Sequence, residues 1–148
     1  MVDHPALPTS ARQAHDIEVD GEIITVRPAA EIISKQHLPY FIGISAATAG
    51  SQVLSMNLVV IPPGSAAVAH LHAGQETTIY ILKGSVETRY GPGLKKSTIN
   101  HEGDFLFIPP YVSHQPVNLS ESEPALAIVA RNDPNEQEHV FLYDAESA

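Results

Sequence analysis

Two histidines near the middle of the chain have a spacing that suits metal binding. His70 and His72 lie two residues apart in a stretch that looks extended. Because side chains alternate between faces along a strand, both imidazoles point the same way and offer two nitrogen ligands to a divalent metal. Glu76 follows four residues after His72 and would add an oxygen ligand, and His114 offers a further imidazole from a later segment. These residue types in this order predict a metal centre.

The same spacing also has an ordinary interpretation. The chain has eight histidines in 148 residues, so one His-x-His pair can arise by chance, and on spacing alone the two interpretations stand even. The other five histidines lie outside any such arrangement. Each of them is expected to be solvent-exposed or hydrogen-bonded: His4, His15, His37, His101 and His139.

The elements that must position these side chains are short and rich in β-branched residues. Turn residues such as Pro62-Pro63-Gly64 and Gly91-Pro92-Gly93 separate the segments. Strands are predicted over 22–27, 41–48, 52–61, 77–82, 85–90, 104–108, 115–119, 125–130 and 140–143. Their spacing of about 8–12 residues is typical of an all-β sandwich or barrel. Helix signals are weak, and the best of them covers 29–38. Strands and helices do not alternate along the chain, so a parallel sheet is not expected.

Taken together, two segments resemble the motifs of the cupin superfamily. The first motif, G-x5-H-x-H-x3,4-E-x6-G, is matched by Gly64, His70, His72, Glu76 and Gly84. The second, G-x5-P-x-G-x2-H-x3-N, is matched by Gly103, Pro109, His114 and Asn118. The resemblance implies a small single-domain RmlC-like cupin. Its fold would be all-β, a double-stranded β-helix (jelly-roll) barrel with little helix.

Two positions depart from these motifs. Tyr111 stands where the second motif has glycine. In the first motif, seven residues rather than six separate Glu76 from Gly84, so that Thr77 occupies the ligand position of the longer spacing. Because a one-residue offset turns a side chain to the opposite face of a strand, Glu76 can ligate only if a β-bulge or the loop Ala73-Gly74-Gln75 absorbs the extra residue, which Gly74 makes feasible.

Three arrangements of the fourth ligand therefore remain open. Glu76 is favoured, because a carboxylate would help to neutralise a divalent cation in a dry pocket. The alternatives are that Gln75 takes its place, or that the site consists of three histidines and water.

The resemblance also implies a cofactor and a class of function. A divalent ion (iron, manganese, nickel or zinc) would be held by His70, His72, Glu76 and His114, with one or two positions open for a substrate or dioxygen. We expect a cupin that binds or transforms a small polar molecule, by metal-dependent oxidation or isomerisation. The alternatives are a non-catalytic ligand-binding or sensing module and a metal-free sugar-nucleotide isomerase-like enzyme.

Around such a centre the barrel lining would be apolar and aromatic. The pocket-lining candidates are Met56, Gln75, Tyr80, Phe105 and Phe107, and for the four large ones among them ordinary core packing is favoured over contact with a substrate. Gln115 and Asn118 are candidates for polar support near His114, and a loop-stabilising role is favoured for Asn118.

Length and charge bound the remaining possibilities. The 148 residues suit one domain, here 21–148, preceded by a polar arm over 1–20. A net charge of −9 without a basic cluster argues against nucleic acid as a partner. No cysteine is present, and no apolar run approaches the ~20 residues of a membrane span. A cytoplasmic location and no membrane partner are expected, and the resemblance implies a homodimer in which 22–27 or 140–143 is an exchanged or edge strand.

Overall fold

Strand pairing organises the part of the chain that the structure describes. The computed structural model describes residues 18–28, 31–135, 137 and 139–147, so most of the predicted N-terminal arm lies outside the described residues. Eleven strands occur there, with one short α-helix, α1 (Ala46–Ala49), and two 3-10 turns (Pro92–Leu94 and Ala145–Ser147).

Every strand pair is antiparallel, and the strands form two sheets. The larger sheet contains β1 (Ile32–Ile33), β2 (Pro39–Ile44), β3 (Ser55–Ile61), β5 (Thr77–Lys83), β8 (Phe105–Ile108) and β10 (Ala125–Arg131), in the order β1-β2-β3-β10-β5-β8. The smaller sheet contains β4 (His70–His72), β6 (Val86–Tyr90), β7 (Lys96–Asn100), β9 (His114–Asn118) and β11 (Val140–Leu142), in the order β11-β4-β9-β6-β7. The all-β jelly-roll prediction is confirmed. Within the described residues no strand pairing joins the two sheets, so the closed barrel of the prediction is not seen there.

The core lies between the sheets. Alternate positions of β3, β5 and β10 supply Ile61, Ile81, Ala125 and Ala127, and the smaller sheet supplies Val86. This alternation is the reason that the strand predictions from residue 52 onward are confirmed to within about three residues at each end. Strand β7 (sequence KSTIN) was missed, because it is an edge strand with mostly polar, exposed residues and carries no apolar alternation.

Three local predictions were wrong. Residues 22–27 pair with no strand in the described chain, and Ile23 is 97% exposed. The weak helix over 29–38 is instead strand β1 and a turn, in the part of it that is described, because Ile32 pairs with Tyr40. The strand expected over 41–48 ends at Ile44, where Ser45 and Thr48 form a capping box that starts α1.

Among the helices of the described residues, none has the length and apolar character that a membrane crossing requires.

Candidate metal centre

Three histidines converge on one point between the sheets. His70 and His72 lie on β4, where alternation turns both side chains to the same face. His114 begins β9 and is the direct cross-strand partner of His70. The ring centroids are 4.3 Å apart for His70 and His114, 5.2 Å for His70 and His72, and 5.5 Å for His72 and His114. One nitrogen from each ring lies within 4.8 Å of the other two, so the group could hold a metal ion.

Backbone carbonyls orient two of the three rings. Nδ1 of His70 donates to the carbonyl of Val68 at 2.7 Å, and Nδ1 of His114 donates to the carbonyl of Val112 at 2.9 Å. Since a carbonyl oxygen only accepts, each Nδ1 carries the proton and each Nε2 presents a lone pair. Hydrogen bonding of the second nitrogen is how metal-binding histidines are usually held in the correct tautomer.

The third ring has no such partner. Both nitrogens of His72 are buried, and neither makes a hydrogen bond in the described part of the chain. A buried polar atom without a partner costs about 1–3 kcal/mol. A metal ion bound to one nitrogen of His72 would remove part of that cost, and this orphaned ring is therefore evidence that the donor set fits a metal.

Burial keeps all three imidazoles neutral at neutral pH. Desolvation is the largest cause in each case: it lowers the pKa of His114 to about 4, and it lowers the pKa values of His70 and His72 well below the usual range. The positive charge of Arg131 acts in the same direction on the pKa of each ring. Neutral imidazole is the form that binds metal, so the site is ready for an ion over the physiological pH range.

The carboxylate predicted as the fourth ligand does not join this group. The side chain of Glu76 is exposed, and its backbone N–H donates to Oδ1 of Asn132 at 2.8 Å. Strand β5 begins at Thr77 and pairs in continuous register with β8 as far as Tyr80, and the register shift recorded between β5 and β10 lies farther along, between Ile81 and Lys83. Thr77 faces inward and is 1% exposed, so the neighbouring Glu76 is not turned into the site.

The other predicted fourth ligand has a different environment. Oε1 of Gln75 is buried and makes no hydrogen bond in the described residues. Like the two nitrogens of His72, this oxygen is a buried polar atom without a partner among the described residues.

Sequence analysis missed one residue at this site. Arg131 is 6% exposed, ends β10, and lies opposite Thr77 in the strand register. Its Nε donates to Oγ1 of Thr77 at 2.8 Å. The alternation of ALAIVAR, with Ala125, Ala127 and Val129 facing the core, would have placed this arginine on the inward face.

A small cavity of about 80 Å³ adjoins the histidines. Its apolar walls include Val59, Ile79, Ile108 and Val129 of the larger sheet, Leu38 just before β2, and Pro116 of the smaller sheet. Polar groups in the wall are Asn57, Thr77, Thr88, Gln137 and Arg131, beside His70 and His114. The cavity combines an apolar lining with a few convergent polar groups, which is the usual composition of a small-molecule site.

The large apolar and aromatic side chains predicted to line the pocket do not line this cavity. Met56, Tyr80, Phe105 and Phe107 occupy the strand positions between the inward-facing residues, so they lie on the outer side of the larger sheet. Phe105 and Phe107 border a second, wider groove beside β6 and β7 that His114 also lines, and they are 80% and 57% exposed. The sequence alone did not determine which of the two alternating sets of side chains on each strand faces the interior.

Two positions of the second motif, one that departs from it and one that matches it, are explained by local geometry. Tyr111 adopts φ 63°, the left-handed conformation that glycine would take there, and its N–H donates to the carbonyl of His72 at 3.0 Å. Asn118 is buried and uses Nδ2 to bind the carbonyls of Ile61 and Glu123, at 3.0 and 2.8 Å. The loop-stabilising role of Asn118 is thereby supported, while Gln115 donates to the carbonyl of Ala67.

Comparison with known families agrees with this geometry. A family model described as the cupin domain matches residues 57–131, about half of the chain, and this span contains all three histidines. The chain is a member of the cupin family. None of the curated proteins compared with this cupin matches it.

Solved structures with the same fold include proteins of quite different kinds. A conserved protein with a double-stranded β-helix domain from Klebsiella pneumoniae has a TM-score of 0.60 and 19% identity, and the match covers 84% of this cupin and 99% of that chain. An oxalate decarboxylase from Bacillus subtilis, described with Mn(II) centres, has a TM-score of 0.61 and 17% identity. That match covers 84% of this cupin and 35% of the decarboxylase, so this cupin spans about a third of that chain.

A sugar phosphate isomerase from Silicibacter pomeroyi is a third structure of this kind. Its TM-score is 0.52 with 21% identity, and the match covers 63% of this cupin and 59% of that chain. At these identities the likeness establishes the shared fold and leaves the activity of this cupin to its own site.

Proposed function

We propose that this cupin holds a divalent metal ion with His70, His72 and His114, and that it binds or transforms a small polar molecule in the adjoining cavity. The observation that carries the proposal is the orientation of His70 and His114. Their Nδ1 atoms donate to backbone carbonyls, which leaves both Nε2 atoms as ligands facing the same point as His72. Iron, manganese, nickel and zinc all accept imidazole ligands.

A site of three histidines is the arrangement that the geometry supports best. Glu76 is exposed and Thr77 stands in the inward position, so the protein supplies three neutral nitrogens and no carboxylate from this motif. Three protein ligands leave at least one coordination position open to a small molecule or solvent. Gln75 remains the alternative fourth ligand, because its buried Oε1 has no hydrogen-bond partner among the described residues.

The metal ion and the cavity residues would have different roles in binding or reaction. A bound metal would supply Lewis-acid or redox chemistry at the open position. The apolar walls of the cavity limit the access of water, and Thr77 and Arg131 add polar groups that could orient a ligand. A cavity of about 80 Å³ admits a molecule of only a few heavy atoms without rearrangement. We propose metal-dependent oxidation or isomerisation as the reaction class, with simple ligand binding as the alternative.

Metal analysis of the purified protein tests the centre directly. After loading with each candidate ion and desalting, the wild-type protein should retain about one metal per chain. The His70→Ala/His72→Ala double variant and the volume-preserving His72→Leu variant should retain almost none. The matched control is His37→Ala/His101→Ala, which removes two exposed histidines and should leave the metal content unchanged. Equal metal in the folded wild-type protein and both site variants would contradict the proposal.

Activity assays separate the alternatives. Dioxygen uptake or product formation with a panel of thiols, phenols and small acids, abolished by a chelator and restored by metal, would support an enzyme. A ligand-induced thermal shift without turnover would support a binding or sensing module. The panel also includes sugar nucleotides, the substrates of the metal-free alternative, and sugar phosphates, because one structural relative is a sugar phosphate isomerase. Sugar-nucleotide turnover that persists with a chelator would favour the metal-free isomerase.

Two broader expectations belong to the proposal. Residues 21–148 would act as one cupin domain with 1–20 as an arm, and the protein would work as a homodimer. A limited proteolysis experiment that trims the first 20 residues without loss of metal would support the domain boundary.

A further inference from the structure

A groove follows the seam between the two sheets. Strand β7 is the last strand of the smaller sheet and β8 is the last strand of the larger one, and no strand pairing of the described residues joins them. Side chains of both strands border one groove of about 460 Å³, which His114 also lines. That volume lies within the roughly 300–1,000 Å³ usual for small-molecule sites, whereas the cavity of about 80 Å³ beside the histidines is far below it. The groove therefore has room for the body of a ligand that the cavity alone cannot hold.

The smaller sheet gives the groove a wall of hydrogen-bonding groups. The strand registers place Tyr90 opposite His114 and Thr88 opposite Thr98, and alternation along β7 puts Asn100 on the same face as Thr98. All five side chains line the groove. Oδ1 of Asn100 is a buried acceptor that makes no hydrogen bond in the described residues, and such an atom costs about 1–3 kcal/mol while it stays unpaired. A ligand that donates a hydrogen bond would remove part of that cost.

Strand β8 and the turn after it supply the apolar side of the groove. Phe105 and Phe107 border it and are 80% and 57% exposed. Because β8 is an edge strand, side chains from both of its faces reach the groove, and Leu106, Pro109 and Val112 extend the apolar lining. Aromatic rings pair in offset or edge-to-face contacts, which are worth about 0.5–1.5 kcal/mol beyond the area buried. Two solvent-facing phenylalanine rings beside a concave space therefore favour an aromatic ligand.

The lining of the groove carries no formal charge. Among the described residues, none of its lining side chains is Asp, Glu, Lys or Arg. Burial lowers the pKa of His114 to about 4, so this ring is neutral at pH 7. Moving an ion out of water without an opposite charge to receive it costs several kcal/mol. The groove therefore favours an uncharged ligand over a carboxylate, a phosphate or an amine.

The groove and the cavity beside the histidines share part of their walls. Thr88, Ile108 and His114 line both spaces, and each of these side chains is nearly fully buried. A ligand in the groove would thus lie one side chain away from the cavity, next to one of the proposed metal ligands.

We propose that the groove binds an uncharged aromatic molecule with a hydroxyl group, of the phenol class, and that this molecule is the ligand of the metal centre. Its ring would pack against Phe105 and Phe107, and its hydroxyl would hydrogen-bond with the polar wall. Binding in the groove stands on the lining of the groove alone. The link to the metal rests on the proposed function, so the two parts are tested separately.

Fluorine NMR titration of the chelator-treated full chain with para-fluorophenol tests the groove by itself. A probe this small should bind with a Kd of roughly 1 mM, since a usual ligand efficiency is about 0.5 kcal/mol for each heavy atom. Thr98→Trp should raise the Kd at least about tenfold, because Thr98 is exposed and a large side chain there would fill the groove. The matched control is Ser97→Trp, on the opposite face of the same strand, which should leave the Kd unchanged.

Two related probes test the class of ligand. Fluorobenzene lacks the hydroxyl and should bind about twofold to tenfold more weakly, which is the loss of one hydrogen bond. The charged para-fluorobenzoate should bind at least about tenfold more weakly, because the groove offers it no cation. Benzoate binding as tight as that of the phenol, or equal binding of all three probes, would overturn the assigned class.

Metal loading tests the link to the histidines. With paramagnetic Mn²⁺ bound, the fluorine signal of the bound phenol should broaden more than with Zn²⁺, and the His70→Ala/His72→Ala variant should show no such difference. Phenol binding in a protein that retains no metal would support the groove and contradict the proposed metal centre. Retained Mn²⁺ and bound phenol without extra broadening would overturn the link between them.

Two outcomes would overturn binding in the groove itself. One is the lack of saturable phenol binding by the wild-type protein. The other is a Thr98→Trp variant that binds the phenol as tightly as the wild type does. Far-ultraviolet circular dichroism and metal content per chain, both expected to match the wild type, show that the tryptophan variants are folded.

Discussion

Arg131 donates a 2.8 Å hydrogen bond to the hydroxyl of Thr77, and Thr77 is buried at the position that the longer spacing of the cupin motif gives to a carboxylate. The two residues oppose each other in the register of β10 and β5. A cation and a hydroxyl therefore stand beside the three histidines in place of an acidic ligand, so the protein itself contributes no negative charge from this position.

Thr77→Val tests the importance of this pair for stability. Valine keeps the shape of threonine but removes the acceptor for the buried Nε of Arg131, and losing one partner of a buried hydrogen bond to a charged group costs about 1–3 kcal/mol. Urea denaturation should show that loss. The control is Thr78→Val, because Thr78 is exposed and its hydroxyl makes only a long 3.4 Å contact with the carbonyl of Ala130. This substitution should lower the free energy of unfolding by well under half as much. Equal effects of the two substitutions would contradict this interpretation.

The histidine cluster should make the metal-free protein sensitive to acid. Burial lowers the pKa of His114 to about 4, whereas in the unfolded chain its pKa is about 6.5. The unfolded state therefore binds a proton that the folded state does not, and the free energy of unfolding falls as the pH drops from about 6.5 toward 4. Above 6.5 this group causes no change. At pH 4 the contribution of His114 is on the order of 3 kcal/mol.

Denaturation of chelator-treated protein at pH 7, 6, 5 and 4 measures this slope. The His114→Gln variant should have a shallower dependence than the wild type, because the titrating group is gone. His101→Ala, in which an exposed histidine is removed, should follow the wild-type curve. Parallel curves for the wild type and His114→Gln would show that His114 does not titrate in this way.

Asn118 should be among the residues most important for folding. Its Nδ2 donates to the carbonyls of Ile61 and Glu123, and its Oδ1 accepts from the backbone N–H of Ser120 at 2.9 Å. Asn118→Asp replaces the donor with an oxygen that faces those carbonyls, so a loss of about 3 kcal/mol or more is expected from unpaired buried groups and repulsion. Thermal unfolding checks this, with the exposed Asn135→Asp as control. A small effect at Asn118 would mean that the loop rearranges easily.

Tyr111→Gly should stabilise the protein or leave it unchanged. A non-glycine residue at φ 63° carries roughly 1–2 kcal/mol of backbone strain, while glycine adds up to about 1 kcal/mol of conformational entropy loss on folding. The expected net gain is therefore between 0 and about 2 kcal/mol, measured by urea denaturation. Tyr111→Ala keeps the strain and should not show that gain. Destabilisation by glycine alone would indicate that the tyrosine ring makes an energetically important contact.

The local sequence was sufficient to predict most of the strands and the three histidines proposed as metal ligands. Apolar alternation bounded by proline and glycine located most strands, because burial of one face of a strand imposes a period of two. The H-x-H spacing put His70 and His72 on one face for the same reason, and the second motif identified His114.

The facing of individual side chains was decided by tertiary structure. Whether Glu76 or Thr77 points inward depends on where β5 begins and how it pairs with β8 and β10, residues that are distant in the sequence. The same registers send Tyr80 and Phe105 outward and bring Arg131 against Thr77. Period-two alternation leaves two faces open, and only long-range strand pairing and packing select which of them becomes the interior.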